Sequence, residues 1–372
     1  MILQFGTSRF LQAHVDLFAS EARDAGQTVA DIVIVQVSDD AVRAQRLVAF
    51  DDAAGFPVVI RGLEGGVPVE GTVQVRSVVR GLAAAHDWSE LCTLFVEEVT
   101  HVVSNTGDHG YVIPPEDRIT IAYDQSPRSF PAILLALLHR RWRFGGAGVT
   151  FLPCELVAGN GQTLCATVLD LAEQLRLEPA FVDWLGVACL WVDTLVDRIV
   201  SEPIHPAGAV AEPYALWAIR EQQGLVLPFT HQAIVVTDDL PRFERLKLHI
   251  LNLGHSWLAE RWHRAGAVAD ATVRQAMADA DTLADLRRLY HDEVVPGFAI
   301  GGLGDEAATY VEKTMDRFAN PFIEHRLSDI HASHAAKVIK RVGGFVEWVD
   351  ASGSAVPMPE LRALAQRYEV KK

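Results

Sequence analysis

Cysteine, aromatic side chains, basic charge and long apolar runs are all scarce in this 372-residue chain, which has four cysteines, 8% aromatics and 33 Lys and Arg against 48 Asp and Glu. Each shortage excludes something. Cys92, Cys154, Cys165 and Cys189 form no Cys-x2-Cys pair, so neither a zinc ribbon nor a disulfide framework is expected, and all four read as reduced core residues. A formal charge of −15 without any basic run argues against a phosphate-backbone partner, which would draw on clustered Lys and Arg. The chain has no uninterrupted apolar stretch long enough to cross a bilayer. Met1-Ile-Leu-Gln-Phe-Gly6 enters a strand pattern at once, without the charged region, apolar stretch and cleavage site of a signal peptide. The expectation is a cytoplasmic protein that engages neither nucleic acid nor membrane. Internal repeats and low-complexity segments are missing too, which sets aside solenoids and disordered linkers.

What is present is ample core material: 49% of residues are hydrophobic and 22% charged, as in an ordinary globular protein. A chain of this length exceeds the usual single core, so two domains are expected. The first half alternates β-rich runs (residues 2–5, 32–37, 73–79, 101–104, 119–123 and 149–153) with helical stretches (10–24, 41–50, 88–96 and 130–142). That is the pattern of a parallel sheet covered by helices. Residues 51–70, rich in Gly and Pro, read as a hairpin or insertion outside the main sheet. Beyond the acidic pair and proline of Asp238-Asp-Leu-Pro241, almost every run has helical spacing: 243–265, 268–280, 282–294, 306–320, 335–348 and 359–370.

The most informative stretch is Lys247-Leu-His-Ile-Leu-Asn252-Leu-Gly-His255. At about 100° per residue, Asn252 lies roughly 140° and His255 roughly 80° around an α-helix from Lys247, with Glu244 about 60° round. Leu246, Leu248, Ile250, Leu251 and Leu253 cover most of the remaining surface, so the helix is expected to be largely buried, and a buried Lys or His needs a reason. Burial disfavours a charged amine and brings its pKa toward the working pH, where it serves as a general base. Lys247 then takes a proton from a substrate hydroxyl, Asn252 donates to the oxygen as it becomes anionic, and His255 fixes a hydroxyl. That set suits carbinol–carbonyl interconversion without a metal. On spacing alone, a groove lined by Lys247 and His255 with Asn252 bonded to backbone is an equal alternative.

Near the start, strand 2–5 followed by Gly6-Thr-Ser-Arg-Phe10 and a helix has the strand–turn–helix order that presents backbone N–H groups to a pyrophosphate. Phe5, Gly6, Ser8, Arg9 and Phe10 are therefore candidate cofactor contacts, although Ser8 stands where a second glycine is expected and a plain βα turn fits these residues equally. Asp39, after the second strand, can accept from a cofactor ribose and repel a 2′-phosphate, which favours NAD over NADP. Capping of the next helix is the competing reading for Asp39, and Arg43 and Arg46 lie close enough to blur the preference. Ser104, Asn105 and Thr106 follow a strand at the end that faces a ligand crevice in a doubly wound sheet; a polar turn is the alternative. The fold class expected is α/β, with a Rossmann-like doubly wound dinucleotide-binding domain over residues 1–240 and a mainly α-helical substrate domain over 241–372.

Several pieces together resemble the mannitol dehydrogenase family of long-chain polyol dehydrogenases, which includes the fructuronate and tagaturonate reductases. Lys247-x4-Asn252-x2-His255 matches the family's catalytic helix at full spacing, as does Glu244 one turn earlier. Further matching segments run in order: Leu3-Gln-Phe-Gly6, Ser104-Asn-Thr106, Leu152-Pro-Cys-Glu155 with Asn160-Gly161, Val196-Asp-Arg-Ile199, Glu212-Pro-Tyr-Ala-Leu-Trp217 and Arg317-Phe-Ala-Asn-Pro321. The resemblance implies Lys247 as general base, Asn252 and Asn160 as oxyanion donors, His255 as a substrate hydrogen-bonder, Glu244 as a proton relay, and Asp197 with Arg198 at the substrate. A buried ion pair is the structural alternative for Asp197-Arg198. The opening strand and the Glu212–Trp217 segment look more like the uronate reductases. The implied reaction is NAD(H)-linked interconversion of a secondary alcohol and ketone on an open-chain sugar acid. A polyol 2-dehydrogenase of the mannitol or arabinitol type, and a non-catalytic NAD-binding sensor, are the competing functions. A carboxylate substrate needs a cation, for which Arg317, Arg326, Lys337 and Arg341 are available.

Overall fold

The short apolar runs of the first half are buried on both faces, and both faces are covered by helices. The computed structural model describes residues 1–38, 40, 44–107, 109–121, 123–353 and 355–368. Its main sheet uses β1 (Ile2–Phe5), β2 (Ile32–Gln36), β5 (Val78–Ala83), β6 (His101–Ser104), β7 (Thr150–Pro153) and β8 (Leu190–Trp191), in the order β5-β2-β1-β6-β7-β8 and parallel throughout. Alternate side chains serve different layers. Leu3, Phe5, Val33 and Val35 join a core with helices Trp88–Glu97, Phe130–Arg143, Asn160–Gln174 and Pro179–Val187. Ile2, Ile32 and Ile34 join another with helix Val15–Asp24. Burial on both faces is why these strands read as unbroken apolar runs.

The hairpin expected over residues 51–70 forms as β3 (Phe56–Glu64) and β4 (Val67–Val75), in a separate four-stranded sheet with β10 (Val200–Pro203) and β11 (Ala209–Ala211). A third sheet joins β9 (Thr194–Asp197), β12 (Leu216–Arg220) and β13 (Ile234–Thr237). Three expectations are corrected. Residues 73–79 are two strands, because the chain changes sheets at Arg76-Ser77; there Arg76 N–H donates to Ser20 Oγ at 2.7 Å and Ser77 Oγ donates to Asp16 O at 2.6 Å. The helix over 10–24 breaks into Arg9–Gln12 and Val15–Asp24, and Arg198 Nη1 takes the freed Ala13 carbonyl at 2.6 Å. Of residues 119–123, those the structure describes belong to no strand, and a 3-10 turn, Pro115–Arg118, precedes them. Helices Asn160–Gln174 and Pro179–Val187 lie where the sequence pattern predicts no element. Cys92, Cys154 and Cys189 are buried and Cys165 half-buried, all as free thiols. Among the described residues no helix is long and apolar enough to cross a membrane.

Asp16 is 0% exposed, receives Gln4 Nε2 at 3.2 Å, and leaves its Oδ1 and Gln4 Oε1 unpartnered. Burial pushes its pKa well up, so the folded chain holds a proton that the unfolded chain releases near the ordinary carboxylate range. Stability from this group is present at low pH and falls as pH rises. Asp16→Asn, which keeps the shape without the charge, is expected to unfold at a higher temperature than the native chain at pH 8, the gap closing toward pH 4. A variant less stable at both pH values would refute this.

The chain divides into two compact units. The first comprises Met1–Ile60, Gly71–Ala211 and Ala215–Leu240 and holds the sheets; the second comprises Arg61–Glu70, Glu212–Tyr214 and Pro241–Lys372. The second is built of helices around Leu246, Ile250, Leu253, Trp257, Leu286, Phe298 and Phe345. Within it Glu212 and Arg317, with side chains 1% and 3% exposed, form a two-pronged pair in which Arg317 Nε and Nη2 donate to the carboxylate at 2.9–3.1 Å. The Tyr214 ring stacks on the guanidinium at 4.5 Å, and Arg317 Nη1 donates to Tyr310 Oη at 3.3 Å. Asn320 Nδ2 reaches Arg61 O at 3.4 Å. Gly62 permits this approach, since a Cβ there would lie 2.7 Å from Asn320 Nδ2 and 2.6 Å from the Pro213 ring.

Candidate active site

In the sheet-bearing unit, the carboxyl ends of β1, β2 and β6 open on a cleft of about 820 Å³. Gly6, Ser8, Arg9, Asn105 and Thr106, all singled out in the sequence, line it, with Gln36, Arg46, His109, Arg128 and Phe130. The volume lies within the range of small-molecule sites, about 300–1,000 Å³. Gly6 has φ +116°, and a Cβ on it would sit 2.5 Å from Asn105 O, so backbone meets backbone at the cleft floor. A phosphate brought here meets Arg9, Arg46 and Arg128. The following helix contributes little, because it is only Arg9–Gln12 and the Ser8 hydroxyl already accepts from Leu11 N–H at 3.4 Å. These residues fit a dinucleotide. Asp39 lies outside the described residues.

Other candidates sit behind the lining. Phe5 packs on Phe130, rings 5.0 Å apart, and Phe10 stacks on His14 at 4.8 Å. Ser104 Oγ donates to Glu155 Oε2 at 2.9 Å. That carboxylate also accepts from Thr106 N–H at 3.0 Å, Thr106 Oγ1 at 2.9 Å and Tyr111 Oη at 3.2 Å. Burial raises the pKa of Glu155 and the bonds from Thr106 and Ser104 oppose that rise. Glu155 thereby pins the loop after β6. Asn160 begins helix Asn160–Gln174, and its amide donates to the carbonyls of Pro153, Glu155 and Thr194 at 3.0–3.1 Å, while its oxygen accepts from Gly161 and Thr194 N–H at 2.9 Å. Both its hydrogens are thus committed to main-chain oxygens. Asp197 ends β9 and is buried, and Arg198 holds Ala13 O.

In the helical unit, Glu244, Lys247, Asn252 and His255 lie on one run of helix from Leu240 to Arg264. Lys247, Glu244 and Asn252 are half-buried and His255 is buried, so the amine is less enclosed than expected. The larger departure is in the winding. Lys247–Leu251 is a π turn, and Asn252 N–H bonds back to Lys247 O as well as Leu248 O. An i to i+5 bond brings Asn252 toward the face of Lys247, whereas α-helical winding would turn it roughly 140° away. His255 packs on Phe318 at 4.5 Å and His325 at 4.8 Å. His249 in the same turn is turned inward, its Nδ1–H donating to Arg341 O at 2.8 Å; burial brings its pKa down to about 4.

Sequence reasoning missed His109, Arg128, Phe130, Tyr111 and His325. Arg128-Ser-Phe130 carried a weak signal as the entry to a helix. Its geometry comes from Asp117, which accepts from Arg128 N–H at 3.1 Å and Ser129 N–H at 2.7 Å. Among the described residues no group of three or more His, Cys, Asp or Glu is arranged to hold a metal ion.

Comparison with known proteins gives the family. Residues 1–226 match the family description "Mannitol dehydrogenase Rossmann domain" and residues 239–355 match "Mannitol dehydrogenase C-terminal domain". The chain is 31% identical to the altronate oxidoreductase of Klebsiella pneumoniae (strain ATCC 700721 / MGH 78578), over 92% of this chain and 73% of that protein. It is 28% identical to that of Halalkalibacterium halodurans, over 95% and 72%. Among solved structures, D-sorbitol dehydrogenase in substrate-free form superimposes with a TM-score of 0.80 at 18% identity, covering 99% of this chain and 80% of that one. Pseudomonas fluorescens mannitol 2-dehydrogenase, in a ternary complex with NAD and D-mannitol, gives 0.72 at 19% identity, covering 99% and 78%. At such identities the two structures speak for the fold: a parallel-sheet Rossmann region followed by a mainly helical one.

Proposed function

Because the chain belongs to the mannitol dehydrogenase family and is an oxidoreductase acting on CH–OH groups, we propose that it interconverts a sugar acid, altronate, and its keto-uronate with NAD(H) and a lysine acid–base. The observation that supports this reading is the π turn, whose i to i+5 bond joins Asn252 N–H to Lys247 O. NAD bound in the Gly6–Thr106 cleft supplies a hydride acceptor at its nicotinamide ring. In the oxidising direction Lys247 takes the proton of the substrate hydroxyl as the carbinol C–H hydride leaves and the C=O bond forms. Asn252 donates N–H to that oxygen while it carries negative charge, and His255 bonds a neighbouring hydroxyl. Glu244, one turn before Lys247, relays the proton outward. In reduction the lysinium is the acid.

Asn160, its amide engaged by three carbonyls, holds the loop beside Glu155 in this reading instead of donating to substrate. Asp197 and Arg198 are assigned to the substrate side. Of the four cations available for a carboxylate, Arg317 is bound to Glu212 and Arg341 to Ser256 Oγ at 3.0 Å. Lys337 donates its amine to Ile330 O at 2.8 Å, and Arg326 pairs with exposed Asp270; of these, the exposed Arg326 pair is the one most readily exchanged for a substrate carboxylate.

The test is NADH oxidation with tagaturonate, fructuronate and fructose, repeated with NADPH. Turnover is expected to favour tagaturonate and NADH. A preference for fructose would replace the sugar acid by a polyol, and calorimetric NAD binding with no turnover on any of them would replace the enzyme by a sensor.

A further inference from the structure

Among the described residues the π turn at Lys247 is one of three in the helical unit, the others being Tyr290–Val294 and Ile339–Gly343, and both pack against it. A π turn carries one residue more than an α turn and disturbs the regular i to i+4 ladder, so additional donors to the carbonyls of the stretch help to hold it. Those donors come from the neighbouring π turns. Tyr290, the first residue of the second, is 1% exposed and donates its hydroxyl to Ile250 O at 2.9 Å. Arg341, in the third, donates Nη1 to Asn252 O at 3.3 Å and accepts from His249 through its own carbonyl. The approach of Tyr290 depends on Gly254, where a Cβ would lie 1.9 Å from the Tyr290 hydroxyl and 2.9 Å from the Phe318 ring. Burial raises the phenol pKa, so the group stays a donor.

We propose that Tyr290 is a positioning residue for proton transfer: its bond to Ile250 O holds open the π turn that brings Asn252 toward the face of Lys247. Without it, the turn relaxes toward α-helical winding and Asn252 swings away from the amine. This rests on the reading of Lys247 as the acid–base. An ordinary core tyrosine would contribute packing alone, and the hydroxyl would be dispensable to chemistry.

The decisive variant is Tyr290→Phe, which keeps the ring and removes one oxygen. Gly254→Ala is the second, displacing the same hydroxyl from the other side. Each is measured for thermal midpoint, for kcat and KM with the best substrate, and, without cofactor, for the rate at which an amine-directed acylating reagent labels Lys247, read by peptide mass spectrometry. For folded variants the expected result is a fall in kcat of about 10- to 100-fold, the scale of a small misplacement of a reacting group, with KM within about twofold and a changed Lys247 labelling rate. Native kcat and native labelling in folded Tyr290→Phe overturn the proposal. If Tyr290→Phe does not fold, the same two readings on Gly254→Ala decide it. Lys247→Ala, run alongside, separates the two claims. Its inactivity together with an unchanged Tyr290→Phe removes only the positioning role, whereas its full activity removes the acid–base reading and this inference with it.

Discussion

Lys247→Ala is expected to lower kcat by about 10²- to 10⁴-fold, the usual contribution of a positioned acid–base, with little change in thermal midpoint. The small structural effect follows from position: Lys247 is half-buried, and the hydrogen bonds that define its turn run through the main chain of Lys247, Leu248 and Asn252. Lys247→Arg sharpens the test, because a guanidinium retains positive charge but does not release its proton near neutral pH. If the amine acted only as a fixed cation, arginine would restore part of the rate; as a proton carrier, it leaves both variants inactive. Steady-state kinetics in both directions check this, and unchanged kcat in either variant would sink the acid–base role.

Glu212→Ala is expected to cost about 3–5 kcal/mol of stability, the scale for removing one partner of a buried ion pair. With its side chain 3% exposed, Arg317 would keep its charge among the Tyr214 and Tyr310 rings without the carboxylate that balances it. The reverse arm matters as much. Glu212→Leu combined with Arg317→Met removes both charges, and such replacements often restore most of the loss. Urea unfolding of the two single variants and the double variant reads the coupling. A Glu212→Ala variant within about 0.5 kcal/mol of the native chain, the range of ordinary surface substitutions, would refute a structural role for the pair.

Strands β1 and β6 were legible to the residue, since a parallel strand buried on both faces is an apolar run with polar neighbours. The spacing of Lys247, Asn252 and His255 was legible too, as a pattern of residue types. Its geometry was not: the π turn depends on donors such as Tyr290, 40 positions from Ile250, and Arg341, 89 from Asn252, and nothing in the local string specifies them. The segment at 119–123 has the alternation of a strand, but alternation alone supplies no pairing partner, and its described residues lie in no strand. Glu212–Trp217 and Arg317–Pro321 stood out separately in the sequence. That they are two halves of one ion pair is information held only by the fold.

The helical unit is not one stretch of chain. Its Glu212 is separated from Arg317 by 105 positions, and Arg61 from Asn320 by 259. At ribosomal speeds of about 5–20 residues per second, Glu212 waits roughly 5–20 s for its counter-ion to be made. During that interval the carboxylate has to stay hydrated, so its segment cannot settle into its final burial early, however quickly the rest of the chain folds. Assembly of the helices is thereby tied to translation of the Arg317 region, and a nascent chain interrupted before that point presents an unfinished apolar surface to the chaperones and proteases of its host.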